Sequence, residues 1–310
     1  MLATTEIKNI QSLLKSKQNL QSKILDIEQN KLEYFNLNLN RKFSLNIQKL
    51  TTEQLNELNL NNKRQLLVNQ KFDNLNIYNK LKLLKVNKLI PSIDLRSLFP
   101  PVYNQGYLSS CTANALCGVI GFERKGLYGS RLFLYYNERV LSNNINTDDG
   151  AYLSDGIISL QNNGICLEKD WPYTNNFDTK PTNICYIKAQ KYKAISVYNL
   201  SNKLNQLKQC LINKDPFVVG IAIYTSFQTY TVASSGSVPM PNTQTEDFLG
   251  GHAVVCVGYN DNLVKNGYSG YWIMRNSWGT TWGDRGYFYL PYAYLLDDNL
   301  ATDMWCIKKI

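Results

Sequence analysis

The stretch PVYNQGYLSSCTANALCG, residues 101–118, places a cysteine between a polar segment and an apolar one. The Gln, Gly and Ser residues before Cys111 are typical of a loop, whereas the apolar residues after it recur at helical spacing. The pattern predicts a helix that begins at Cys111 and stops at Gly126. Unpaired N–H groups at a helix N-terminus favour a negative charge, so we expect a lowered thiol pKa and a nucleophilic Cys111. Cys117, further along this helix, fits the alternative of a buried structural thiol.

The chain has a single histidine, His252, within GGHAVVCVGYN, residues 250–260. The apolar, β-branched run that it begins predicts a buried strand. Two glycines before it, including Gly251, leave room beside the backbone for another chain. A lone histidine is more often structural than catalytic. However, if the thiol of Cys111 needs an imidazole base, only His252 can supply one.

A third segment, YWIMRNSWGTTWGDRGYFYL, spans residues 271–290. Two strand-like runs flank a turn that opens at Asn276. The side-chain amide of Asn276 can accept a hydrogen bond from an imidazole and fix its tautomer. Trp278 could shield that bond from water. The alternative, an asparagine present only for turn geometry, is a weaker explanation beside two Trp-Gly pairs.

Taken together and in this order, the three segments resemble the papain-like cysteine peptidases. The resemblance covers about residues 93–310 and implies Gln105 as the oxyanion donor, Cys111 as nucleophile, His252 as base and Asn276 as its partner. His252 lies 141 residues after Cys111, within the range of about 130–150 for papain-type enzymes. Substrate contacts are implied at Gly150, Ala151, Gly251 and Trp278.

The implied fold is α+β with two lobes, a helical lobe over about 105–190 and a β-rich lobe over about 191–300, with the active-site cleft between them. The implied function is cysteine endopeptidase, acting through a thiolate–imidazolium pair and an acyl-enzyme intermediate. Carboxydipeptidases of the cathepsin B type use histidines in an occluding loop. The only histidine of this chain, His252, is already assigned to catalysis, so that type of activity is not expected. The alternative is a catalytically silent papain-like binding module, whose expected signature is loss of Cys, His or Gln. A transglutaminase-like or deubiquitinating enzyme shares the Cys–His chemistry, but Asn276 as third member points away from it.

Residues 1–90 differ in composition from residues 91–310. They hold 15 Lys and Arg against 7 Asp and Glu, and no Gly, Pro, Trp, Cys or His. Apolar residues at helical spacing predict two or three amphipathic helices there. The position of residues 1–90 before the papain-like region implies an inhibitory pro-segment and therefore a zymogen. The helix pattern common in papain-like pro-segments is, however, missing. A basic arm for nucleic acid and a merely solvated helical face are the other interpretations.

Composition also bears on the compartment, the cysteine chemistry and the partners of the protein. No basic and apolar leader typical of a signal peptide begins the chain, and no apolar run reaches the length of a membrane helix. The expected compartment is therefore the cytoplasm, a virion or a host cell. Seven cysteines without a CxxC pair argue against a structural zinc site and a complete disulfide framework. Leu108 stands where the family usually has a bridging cysteine. The expected partners are protein or peptide substrates and a cystatin-like or pro-segment inhibitor, with no cofactor, nucleic acid or membrane.

Overall fold

The computed structural model describes residues 90–310. The helices and the pro-segment predicted for residues 1–90 lie outside the described residues, apart from Ile90 itself.

Helices dominate the first half of the described chain. The central helix α1 begins at Cys111, as predicted, and is buried along nearly its whole length. It ends at Glu123, three residues before Gly126, whose φ of +86° suits the turn that follows. The next helix starts after Ser130, whose side chain accepts the backbone N–H of Phe133 as an N-cap. These helices are α1 (Cys111–Glu123), α2 (Arg131–Leu141), α3 (Leu153–Asn162) and α4 (Asn183–Ala189).

An antiparallel sheet dominates the second half. Its strands are β1 (Ser92–Asp94), β2 (Ser196–Asn199), β3 (Phe217–Tyr224), β4 (Phe248–Lys265), β5 (Tyr268–Arg275), β6 (Tyr287–Pro291) and β7 (Ala301–Lys309). The strand order is β2-β7-β3-β4-β5-β6, and β1 pairs with β4. Three short helices connect these strands, α5 (Leu204–Ile212), α6 (Tyr230–Ser235) and α7 (Tyr292–Leu296).

The two faces of the sheet belong to two different cores. Val255 on β4 packs with α1 in one cluster, and Val254, the residue before it, packs with the aromatic side chains of Trp272 and Phe288 in the other. This alternation is the period of two expected for a strand buried on both faces. The strand β4 is therefore the element that brings the α1 helix and the sheet together.

The structure confirms the α+β fold and revises the extent of its β-rich part. The sheet continues to Lys309 in β7, beyond the predicted limit of 300, and recruits β1 from before the helical lobe. Among residues 90–310, no helix is both long and apolar enough to cross a membrane.

Candidate active site

Cys111 is the first residue of α1, and its side chain faces β4. Its Sγ accepts the backbone N–H of Ala253 at 3.4 Å, and the side chain is 2% exposed. Ala253 follows His252 directly, so the histidine and the thiol lie on neighbouring parts of the two elements.

The sequence predicts a lowered pKa for the Cys111 thiol, and the structure corrects this prediction. Burial raises the pKa of this thiol to about 12, while the backbone N–H groups of Ala253, Thr112 and Cys111 itself lower it. The helix N-terminus therefore acts in the predicted direction but is outweighed by loss of solvent. A thiolate at neutral pH requires a further positive charge beside the sulfur.

His252 and Asn276 form the hydrogen bond that the sequence predicts. His252 Nε2 lies 2.8 Å from Asn276 Oδ1, and both side chains are buried. Asn276 directly follows β5, and its backbone N–H donates to Gly286 O at 3.0 Å, which fixes the turn. Because Nε2 is engaged by Asn276, proton exchange with the thiol would use Nδ1.

Trp278 covers the imidazole. Its ring stacks on His252 with centroids 4.7 Å apart and an interplanar angle of 26°. Phe227 and Trp282 meet Trp278 edge to face at 6.0 and 4.9 Å. Trp278 is 3% exposed, which fits the predicted shielding of the His252–Asn276 bond, and its contact with substrate stays a prediction.

Gln105 is held on both sides of its amide. Its Nε2 donates to Leu108 O at 2.9 Å, and its Oε1 accepts the hydroxyl of Ser277 at 2.5 Å. The backbone N–H of Gln105 also donates to Ser277 O at 2.8 Å. The role of Ser277 was not predicted from the sequence. Its position directly after Asn276 was the one available signal.

A second missed residue lies beneath the nucleophile helix. Glu138 of α2 is fully buried and accepts the hydroxyl of Thr112, the residue after Cys111, at 2.6 Å. Burial raises the pKa of Glu138 to about 8. No sequence pattern identified this pair, because its residues are 26 positions apart and meet only when the two helices pack against each other.

The predicted substrate contacts Gly150, Ala151 and Gly251 lie on segments linked to the site. Gly150 has a φ of +88°, and Ala151 after it is buried. Asp148 in the same loop accepts the backbone N–H of Ser109, two residues before Cys111, at 3.1 Å. Gly251 lies opposite Ala222 in the β3–β4 ladder, directly before His252. The loop is therefore connected to the segment before Cys111, and Gly251 lies on the strand that carries His252.

Another concave region lies in the helical part. A cleft of about 530 Å³ is lined by Tyr103, Arg131 and Glu168, among others, and includes none of the four candidate catalytic residues.

All seven cysteines lie in the described part of the chain, and each is a free, buried thiol. This agrees with the expectation of mostly unpaired cysteines.

Comparisons with known proteins identify the family of the chain. Residues 91–295 match the family described as papain family cysteine protease. The chain belongs to this family. It is 36% identical over 222 residues to a peptidase C1-like protein of Acanthamoeba polyphaga mimivirus, covering 67% of this chain and 69% of that protein.

Two further relatives of this papain-family chain come from a protist and a bacterium. Cysteine proteinase 3 of Entamoeba histolytica is 31% identical over 209 residues, covering 64% of this chain and 62% of that protein. The crystal structure of xylellain, a cysteine protease from Xylella fastidiosa, superposes with a TM-score of 0.64 and 38% identity. That match covers 71% of this chain and 86% of xylellain.

Proposed function

We propose that this papain-family protein is a cysteine endopeptidase in which Cys111 is the nucleophile and His252 its proton acceptor. The observation that carries the proposal is the 2.8 Å bond between His252 and Asn276 beside a thiol held by the backbone of Ala253. A nucleophile, a base and a residue that orients the base are the parts that covalent catalysis requires.

The first step transfers the thiol proton to His252 Nδ1. Burial alone keeps the thiol protonated, since it raises the pKa of Cys111 to about 12. An imidazolium next to the sulfur favours the thiolate, and the oxygen of Asn276 stabilises the imidazolium through Nε2–H. The two charges therefore form together as a pair.

The thiolate then attacks the scissile carbonyl carbon. A new S–C bond forms while the carbonyl π electrons move to oxygen, and the oxyanion accepts hydrogen bonds from Gln105 Nε2 and the Cys111 backbone N–H. The imidazolium gives its proton to the leaving nitrogen, the C–N bond breaks, and a thioester remains. Water, deprotonated by His252, hydrolyses the thioester and regenerates the thiol.

An endopeptidase fits better than a dipeptide-removing enzyme because the chain has one histidine, which this mechanism uses. We also propose that the protein is made as a zymogen in which residues 1–90 block the cleft. The support is their position before the papain-family domain and their distinct basic composition.

The proposal is tested with a peptide blocked at both termini and internally quenched, so that only internal cleavage gives a signal. Wild type, Cys111→Ala and His252→Ala are compared after removal of the N-terminal region, with thermal unfolding to confirm that each is folded. We expect turnover in wild type alone. Near-normal cleavage by either folded variant would overturn the assignment, and a wild type that binds peptides without cleaving them would favour the silent binding module.

A further inference from the structure

A cluster of metal-ligand side chains lies in the sheet half of the molecule. Cys210 of α5, Asp215 of the loop that follows it and Cys306 of β7 each place a ligand atom within 4.8 Å of the other two. All three residues are buried. The loop is held in place by the Asp215 backbone N–H, which donates to Cys210 O at 2.9 Å.

A fourth donor, the hydroxyl of Tyr198, completes the cluster. Tyr198 lies opposite Cys306 in the β2–β7 ladder. Its oxygen is 3.3 Å from Cys210 Sγ and 3.4 Å from Asp215 Oδ2. Zinc–ligand bonds of about 2.0–2.3 Å in a tetrahedron separate the ligand atoms by roughly 3.3–3.8 Å. Both measured separations fall within that range.

The charges around the cluster also suit a divalent ion. Lys308 Nζ lies 2.7 Å from Asp215 Oδ2 and would hold this carboxylate as an outer partner. Two thiolates, one carboxylate, one ammonium and a divalent cation sum to zero charge. A neutral assembly avoids the cost of an unpaired buried charge. The Lys308 side chain is 43% exposed, so solvent reaches the edge of the cluster.

We propose that Cys210, Asp215 and Cys306, with Tyr198 as fourth donor, form a tetrahedral site for Zn²⁺ or a similar thiophilic divalent cation. The ion displaces one proton from each thiol and forms two metal–sulfur bonds without any change of oxidation state. The site would join α5, β2 and β7, which carry none of the four proposed catalytic residues. It therefore stabilises the fold and is separate from peptide cleavage. It also revises the expectation of no zinc site, which rested on spacing along the sequence.

The test uses the full-length chain with Cys111→Ala, so that the proposed nucleophile neither binds metal nor cleaves the sample. The reduced, metal-free protein is titrated with Co²⁺, which reports tetrahedral thiolate coordination through its visible and charge-transfer absorption. Cys210→Ser and Cys306→Ser are added singly to this background. Cys185→Ser, which removes another buried thiol from outside the cluster, is the matched control.

We expect one Co²⁺ per chain with thiolate charge transfer, displaced by Zn²⁺. The band should be lost in both cluster variants and kept in the control. Absence of the band, or its persistence in Cys210→Ser and Cys306→Ser, would overturn the site. Recovery of a Cys210–Cys306 disulfide from oxidised protein, with no metal uptake after reduction, would also overturn it in favour of a redox pair.

A second measurement covers the case in which a serine variant fails to fold. Zn²⁺ should raise the thermal unfolding midpoint of the Cys111→Ala protein, since an ion that binds the folded state stabilises it. Asp215→Asn keeps the shape of the side chain but removes its charge, and should weaken Zn²⁺ binding at least tenfold. An equal Zn²⁺ shift with Asp215→Asn would contradict the proposal independently of peptide cleavage.

Discussion

Gln105 has two amide hydrogens on Nε2, and the structure accounts for one of them. That hydrogen is donated to Leu108 O, while Ser277 Oγ holds the opposite end of the amide. The second N–H is thereby oriented by contacts that exist before substrate arrives. Such preorganised donors are effective because they require no rearrangement when the oxyanion forms.

Replacement of Gln105 by Ala should lower kcat by about 10²–10³ with little change in KM, because the lost bond forms with the transition state. Steady-state kinetics on the quenched peptide measures both constants. Ser277→Ala, which frees the amide without deleting it, should give a smaller loss of kcat. A rise in KM at unchanged kcat would show that Gln105 only binds substrate.

At the scale of elements, Glu138 links α2 to the first turn of the nucleophile helix. Burial raises its pKa to about 8, from about 4.5 in an unfolded chain. Between these values the folded state holds a proton that the unfolded state releases. Stability from this group is therefore full below about pH 4.5 and is lost progressively as the pH rises toward 8.

Glu138→Gln should remove this dependence. Relative to wild type, the variant should gain stability between pH 5 and pH 8, by on the order of a few kcal/mol. Urea unfolding of the Cys111→Ala protein at several pH values measures the difference. Glu246 serves as a control, because its pKa is shifted in the opposite direction. Burial raises the pKa of Glu246, but hydrogen bonds from Ser226 and Asn242 lower it overall. A stability difference that is flat with pH for Glu138→Gln would contradict the raised pKa.

Patterns within single elements were sufficient to predict the start of α1 at Cys111, the buried strand after His252 and the turn at Asn276. Each depends on neighbours along the chain, such as a polar lead-in or an apolar run. The contacts of Ser277, Glu138 and the Cys210–Cys306 cluster could not be predicted in this way, because they join elements that meet only when the sheet and helices pack. The pKa of Cys111 belongs to the same group, since its burial is a property of the tertiary structure.

At the scale of the whole molecule, the N-terminal junction is tied to the sheet. Pro91 O accepts the backbone N–H of Asp261 at 2.8 Å, and Ile90 O accepts the hydroxyl of Tyr259 at 2.7 Å. A cut before residue 90 therefore leaves β1 and these contacts intact. We therefore propose that processing occurs near residues 85–91.

Removal of the N-terminal region should raise peptide cleavage at least tenfold, equivalent to about 1.4 kcal/mol of lost inhibition. A recognition sequence for a specific serine protease in place of residues 85–88 allows the full chain to be assayed before and after the cut. The unmodified chain treated with the same protease is the control. Equal activity before and after complete cutting would show that residues 1–90 are not inhibitory.

The most direct test of the central claim is the pH dependence of Cys111 alkylation, with the modified residue located by mass spectrometry. The account predicts that Cys111 of the cut wild-type protein reacts at a nearly constant rate down to well below pH 7. In His252→Ala the reaction should be slow at pH 7 and should increase toward high pH, because burial raises the pKa of the thiol and no imidazolium opposes that effect. Identical pH profiles for the two proteins would show that His252 does not activate Cys111, and the proposed mechanism would be wrong.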